Sequence, residues 1–371
     1  MRKDDVDVSE LRERIRAAWQ GRISGCQLGK AVEALSVAQG HAALTAYLAE
    51  AGALPLRDYV PLVAGTIVEM TGRASCRGVL ERSEPDDDIN YTVLALLLLE
   101  AHGLALSTTD VARAWLCRLP AGATFTAERA VYRTLLERAH EWFALGADPG
   151  FDVTECAANP YDDWIGAQIR ADLYGWVCPG RPALAADLAR RDAALSHRGD
   201  GLYGAAFVAA LGAAIPGATS LEAAVEVALR AIPSESGAAE AVRCGRALSG
   251  SADAVRTIRD RYAALAPLHA VNNLALVVWA LLSSPDDFGA AIGDVVAAGL
   301  DTDCNGATVG GLWGLQGKPI PAHWTAPWRG RVAVTLAGLD ELRLDDLVDR
   351  TCGVAERIAG AYRDEPEGKV P

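Results

Sequence analysis

Apolar residues recur at helical spacing over almost the whole chain. The clearest stripe, Leu11, Ile15, Ala18 and Trp19, falls at i, i+4, i+7 and i+8 and predicts an amphipathic first helix, with Asp7 and Glu10 as a capping-box variant at its start. The same periodicity predicts helices over about 89–101, 126–145, 165–176, 182–196, 203–214, 219–232, 236–249, 253–265, 268–283, 286–299, 306–317 and 340–363. Punctuation residues agree: Gly103 stops the 89–101 segment, Pro182 suits a first turn, and Thr219 with Glu222 opens a segment that Pro233 closes. Alternating strand patterns are nearly absent. Breaks such as Asp148-Pro149-Gly150 and Pro216-Gly217 are short, and no period of 20 to 50 residues recurs. The expectation is one all-α domain over residues 1–371, not a solenoid.

Composition narrows the partners more than the fold. Hydrophobic residues make up 51% of the 371 and charged ones 22%, which excludes a disordered or linker-dominated chain. With 35 basic against 48 acidic residues the formal charge is −13, so polyanionic partners, nucleic acid and anionic membranes, are disfavoured. The longest apolar runs, Val93 to Leu99 and Leu274 to Leu282, fall short of the ~18 residues a membrane span requires. The acidic start, MRKDDVDVSE, lacks the apolar stretch of a secretion signal. Eight scattered cysteines with no CxxC pair read as reduced thiols, and a cytoplasmic location is expected. Only Lys3, Lys30, Lys318 and Lys369 are lysines, a bias that reads as GC-rich codon usage.

Three segments carry candidate chemistry. Asp86-Asp87-Asp88 runs straight into an apolar helix; one or two of these carboxylates would serve as a helix cap, but three in a row repel one another, and a hard divalent cation would relieve that repulsion. A second acidic turn, Asp301-Thr302-Asp303-Cys304, precedes a segment lined with Gly306, Gly310, Gly311, Gly314 and Gly317, spaced so that another helix could approach closely. Two such turns could converge on a one- or two-magnesium centre. The third segment, Gly21 to Glu33, places glycines at every fourth position and ends in a carboxylate that Lys30, three residues back, could pair with.

In order and spacing these segments resemble the ADP-ribosylglycohydrolase family. Its first motif, GDALGxPxE, is similar to Gly25-Cys26-Gln27-Leu28-Gly29-Lys30-Ala31-Val32-Glu33, with Cys26 where Asp is usual and Ala31 where Pro is usual. Its second, [ST]DDTxxT, is similar to Asp86 through Thr92, and its third, DTDT before a glycine-rich helix, to Asp301 through Cys304. Ala194-Leu195-Ser196-His197 looks like the family's A-L-T-H, and Gly166 through Arg170 like the tail of GNGxxMR, so the likeness runs over about residues 12–320. Beyond it, a helical extension over 321–371 carries Trp324 and Trp328, placed only as packing or interface.

The resemblance implies an all-helical, magnesium-dependent glycohydrolase with one or two ions. It would cleave a ribosyl bond in a small ribosyl or ADP-ribosyl compound or an ADP-ribosylated protein. It further implies Glu33, Asp87 and Asp303 as catalytic residues, and Asp86, Asp87, Asp88, Asp301, Asp303 and Cys304 as metal ligands. Trp164, Gly166, Arg170 and His197 would contact substrate. Two departures bear on this. Thiol is a poor magnesium ligand, so Cys304 weakens one position, while the extra charge of Asp86 should favour the other. In the loop that precedes Gly166, Trp164 and Ile165 replace flexible positions, and Asp162 and Asp163 stand where a diphosphate would need donors. A different N-glycosidase, acting on a riboside without the diphosphate, is therefore the rival reading, together with a binding or structural descendant that has lost turnover.

Overall fold

The stripe of the first segment becomes helix α1 (Val8–Lys30), amphipathic at its start and buried on every side from Gly21 to Gly29. The computed structural model describes residues 8–364, so the Asp7 cap lies outside the described residues. Helix α2 (Glu33–Glu50) follows after a two-residue turn, and α3 (Asp87–His102) starts inside the triple-aspartate segment, with Asp86 as its N-cap. Further on come α4 (Thr126–Arg138), α5 (Gly199–Ala214), α6 (Ala270–Ser283), α7 (Thr302–Gly314) and α8 (Leu344–Asp364). The only sheet among the described residues is a two-stranded antiparallel ribbon, β1 (Arg331–Ala333) with β2 (Glu341–Arg343). The all-α expectation holds.

At the centre α1 and α7 pack along their lengths, flanked by α6, Phe288–Ala297 and α8. Helix α5 is wrapped by Asp172–Trp176, Pro182–Ala193 and Leu221–Leu229. The stretch Gly199–Gly217 is long and apolar enough to cross a membrane by length and composition, although no apolar run of that kind stood out in the sequence; 72% of it is buried inside the protein, as suits a core helix. The predicted helices differ at their edges. The 126–145 segment ends at Arg138, and 165–176 breaks into a 3-10 turn, Ile165–Arg170, and the short helix Asp172–Trp176.

Four helices were not legible in the pattern: the long α2 and Thr108–Arg118, and the short Ile67–Thr71 and Ala322–Thr325. Residues 321–364 are integral: Trp324 and Trp328 are buried, the Trp324 carbonyl accepts from Ser24 and Tyr59, and Ser83 bridges to β1.

Candidate active site

The site is set by a backbone contact between two helices. Glycines four apart on α1 face glycines four apart on α7, pairing Gly21 with Gly310 and Gly25 with Gly306, while Gly29 meets the backbone of Thr302. A Cβ added to Gly25 would fall inside the Gly306 carbonyl, so no side chain can stand between the helices. The contact is pinned where Thr302 donates its hydroxyl to the Gly29 carbonyl at 2.8 Å. It delivers Glu33, just past the end of α1, to Asp301 and Asp303 at the start of α7.

Helix α3 brings the second acidic turn to the same place. One ligand atom each from Asp86, Asp87, Asp88 and Asp303 lie within 4.8 Å of one another, as do atoms of Asp88, Asp303 and Cys304, and those of Glu33, Asp301 and Asp303. The two turns expected to converge therefore do so, at spacings that one ion can bridge. Asp88 is fully buried and ion-paired to Arg22 at 3.0 Å, and Arg22 also holds Asp172 at 2.9 Å. Lys30 does not pair with Glu33 through a hydrogen bond but with Asp86, at 2.7 Å.

These two cations do not satisfy the cluster. Asp88 Oδ2, Asp301 Oδ1 and Asp303 Oδ1 are buried without any hydrogen-bond partner. The charge of Asp303, then burial, pushes the Glu33 carboxyl well above its ordinary range. Burial, then the neighbouring aspartates, does the same to Asp87 and Asp301, and more moderately to Asp303. Asp86 is the exception: burial would raise it, but the Lys30 ammonium outweighs burial and holds it below the usual value. Buried polar atoms are nearly always satisfied, so a cluster of orphaned, mutually repelling carboxylate oxygens fits a hard cation taking oxygen ligands.

The cluster opens on a cavity of about 320 Å³. Glu33, Asp86, Asp87, Asp301, Asp303 and Cys304 line its head, and Trp164, Ile165, Gly166, Phe125 and Glu128 line its walls. Trp164 and Gly166, both expected to contact substrate, are at the cavity. Trp164 stands edge-on to Tyr161, with centroids 4.8 Å apart.

Two residues expected to contact substrate sit elsewhere. Arg170 and His197 do not line the cavity; both are buried behind its wall. The Arg170 guanidinium is consumed by Glu128 at 3.0 Å, Asp192 at 2.5 Å and the Ser196 hydroxyl at 2.7 Å, which leaves no donor for a ligand. His197 Nδ1 shares a hydrogen bond with Ser196 at 2.7 Å, and burial holds the imidazole well below its usual pKa, in its neutral form. Asp162 and Asp163 also turn to protein partners, Arg198 at 2.6 Å and His269 at 3.0 Å, instead of facing the cavity.

Sequence reasoning missed Glu128, Phe125 and Asn90. Glu128 is a single carboxylate in an ordinary amphipathic helix, and only the fold shows that Arg170 fixes it against Gly166, where a Cβ would collide with the carboxylate. Asn90 ties the wall to the C-terminal segment, donating to Thr335 Oγ1 at 2.8 Å and accepting from its backbone N–H at 2.9 Å. The motif position of Asn90, one turn past the aspartates, was the only available signal.

A helical bundle that gathers carboxylates from the starts of three helices at the head of one cavity defines a class of hydrolytic scaffold. The ADP-ribosylglycohydrolase family profile matches residues 7–363, and the chain belongs to that family of glycohydrolases, metal-dependent in general and acting on ADP-ribosylated substrates. The match continues past residue 320, where the likeness of motifs ends. A solved structure described as an ADP-ribosylglycohydrolase-related protein complex shares the fold, with a TM-score of 0.55, 18% identity, and coverage of 95% of this chain and 99% of that one. No curated protein matches the chain.

Proposed function

We propose that the protein is a magnesium-dependent hydrolase of a ribosyl glycosidic bond and that its preferred substrate lacks a diphosphate. The observation that carries this is the cavity's charge. Carboxylates of Glu33, Asp86, Asp87, Asp301, Asp303 and Glu128 line it, and Lys30, the single cationic side chain lining it among the described residues, is spent on Asp86. A diphosphate would meet no free donor cation on the protein, whereas a neutral or cationic aglycone suits such a wall.

Asp87, Asp88 and Asp303 would hold the ion, with Cys304 beside it, and Asp301 stands next to Asp303 together with Glu33. Bound there, magnesium would supply positive charge to polarise sugar hydroxyls. The chain's own groups do the rest. As the bond to the aglycone breaks, the aglycone leaves with the bonding pair and a proton from Glu33, and the ribose carbon gains oxocarbenium character that surrounding carboxylates stabilise. A water then adds to that carbon and returns a proton to Glu33. Glu33 is the proton-handling group: it reaches the cavity, and its affinity for a proton is set by Asp303 next to it. Trp164, Ile165 and Phe125 give the aglycone an apolar surface and exclude water from one side.

The test compares kcat/KM for a simple riboside with that for an ADP-ribosyl-arginine or ADP-ribosyl-serine peptide. The riboside is expected to be handled at least as well. A tenfold or greater preference for the ADP-ribosyl form, about 1.4 kcal/mol of transition-state binding, would show that the diphosphate is recognised after all.

A further inference from the structure

Lys30 is the last residue of α1, and its ammonium reaches Oδ2 of Asp86 at 2.7 Å. The side chains are 25% and 3% exposed, so the pair is largely out of water. The other oxygen of Asp86, Oδ1, accepts from the Asp88 backbone N–H at 3.0 Å and caps α3. Both oxygens of Asp86 therefore have protein donors, in contrast to Asp88, Asp301 and Asp303, each of which keeps one buried oxygen unpartnered.

Position and residue type reinforce this. An ammonium at the negative end of α1 and a carboxylate at the positive start of α3 each lie where the helix field favours them. Four lysines occur among 35 basic residues, and one stands here, where the compact point charge of an ammonium resembles a metal ion more closely than a planar guanidinium would.

We propose that Lys30 is a tethered counter-cation that keeps Asp86 from ligating a metal and limits the acidic site to one divalent ion per chain. That ion falls to Asp87, Asp88 and Asp303, whose ligand atoms lie within 4.8 Å of one another. Asp86, which the motif likeness implied as a ligand, is then a helix cap and ion-pair partner. The proposal rests on the metal-dependent reading above, but its test reads ion number instead of turnover.

Mn²⁺ is titrated into the full chain, and free ion is followed by electron paramagnetic resonance. One ion per chain is expected for the wild type and two for Lys30→Met, with the fold checked by circular dichroism. If Lys30→Met fails to fold, Lys30→Gln, which keeps a hydrogen-bond donor for Asp86 without the charge, is expected to take two. Two ions in the wild type, or one in a folded variant lacking the ammonium, overturns the role of Lys30. No ion in the wild type sinks the metal-dependent reading and this proposal with it.

Discussion

Two buried charge clusters lie on either side of the cavity wall, and they differ in how completely they are paired. Behind the wall, Arg170 binds Glu128, Asp192 and Ser196, and Tyr174 donates to the remaining Asp192 oxygen at 2.6 Å. At the head of the cavity, carboxylates outnumber Arg22 and Lys30, and three oxygens are orphaned. Buried charges are tolerated when paired, and removing one partner is costly, so the first cluster holds structure in place. The second has more negative charge than its cations balance, so it must take up protons or a cation. In these two clusters the completeness of carboxylate pairing, more than burial, distinguishes the support from the site.

The largest contrast should come from Asp303→Asn. Turnover is expected to fall by about a thousandfold or more, on the scale of losing an electrostatic stabiliser. The ion-free melting temperature should hold or rise, because a repelling charge has been removed, and a chelator should no longer lower it. A melting scan with and without EDTA checks this; an unchanged chelator shift would place the ion elsewhere. Arg170→Met should do the opposite, costing about 3–5 kcal/mol in denaturant unfolding whether or not magnesium is present, since Glu128 and Asp192 lose their cation. A magnesium-dependent loss would move Arg170 into the ligand site.

Gly25→Ala is expected to cost about 1–3 kcal/mol by forcing α1 and α7 apart, and to lower turnover with it. Stability lost without activity would mean that the helix contact does not set the site.

The pH response sharpens the comparison further. Glu33, Asp87, Asp301 and Asp303 have raised folded-state pKa values in the ion-free protein, so they stabilise it at low pH, and this contribution fades as pH rises through those values. A divalent ion bound there would displace the protons. The difference in melting temperature between loaded and ion-free protein should therefore widen from pH 5 to pH 8; a constant difference would contradict the raised values. The smallest effect is that of Cys304→Thr, which replaces a soft thiol with a hydroxyl and should tighten Mg²⁺ by a few-fold, read from the magnesium dependence of turnover.

Much of the acidic head was legible because its parts are local: aspartates at helix starts, and glycines whose four-residue spacing announces a close helix contact. Pairing was not, since it depends on residues far apart in the chain. Arg170 and His197 sit in motif-like segments, yet whether a side chain enters a cavity or a wall depends on partners such as Glu128 and Asp192, which no local pattern marks. Helix α2 escaped notice because Gly40, with φ of 78°, kinks it and divides its apolar residues into two short groups. Thr108–Arg118 carries a capping box, Ser107 with Asp110, but lies between a glycine stop and a proline that together read as a loop.

The contact between α1 and α7 has one more consequence. Because backbone meets backbone there, the gap between Glu33 and Asp303 is fixed by peptide geometry and not by the volumes of intervening side chains. Substitutions among the outer helices can alter stability, but they have no compressible layer through which to change that gap. The periphery is free to drift in sequence while the working distance stays calibrated.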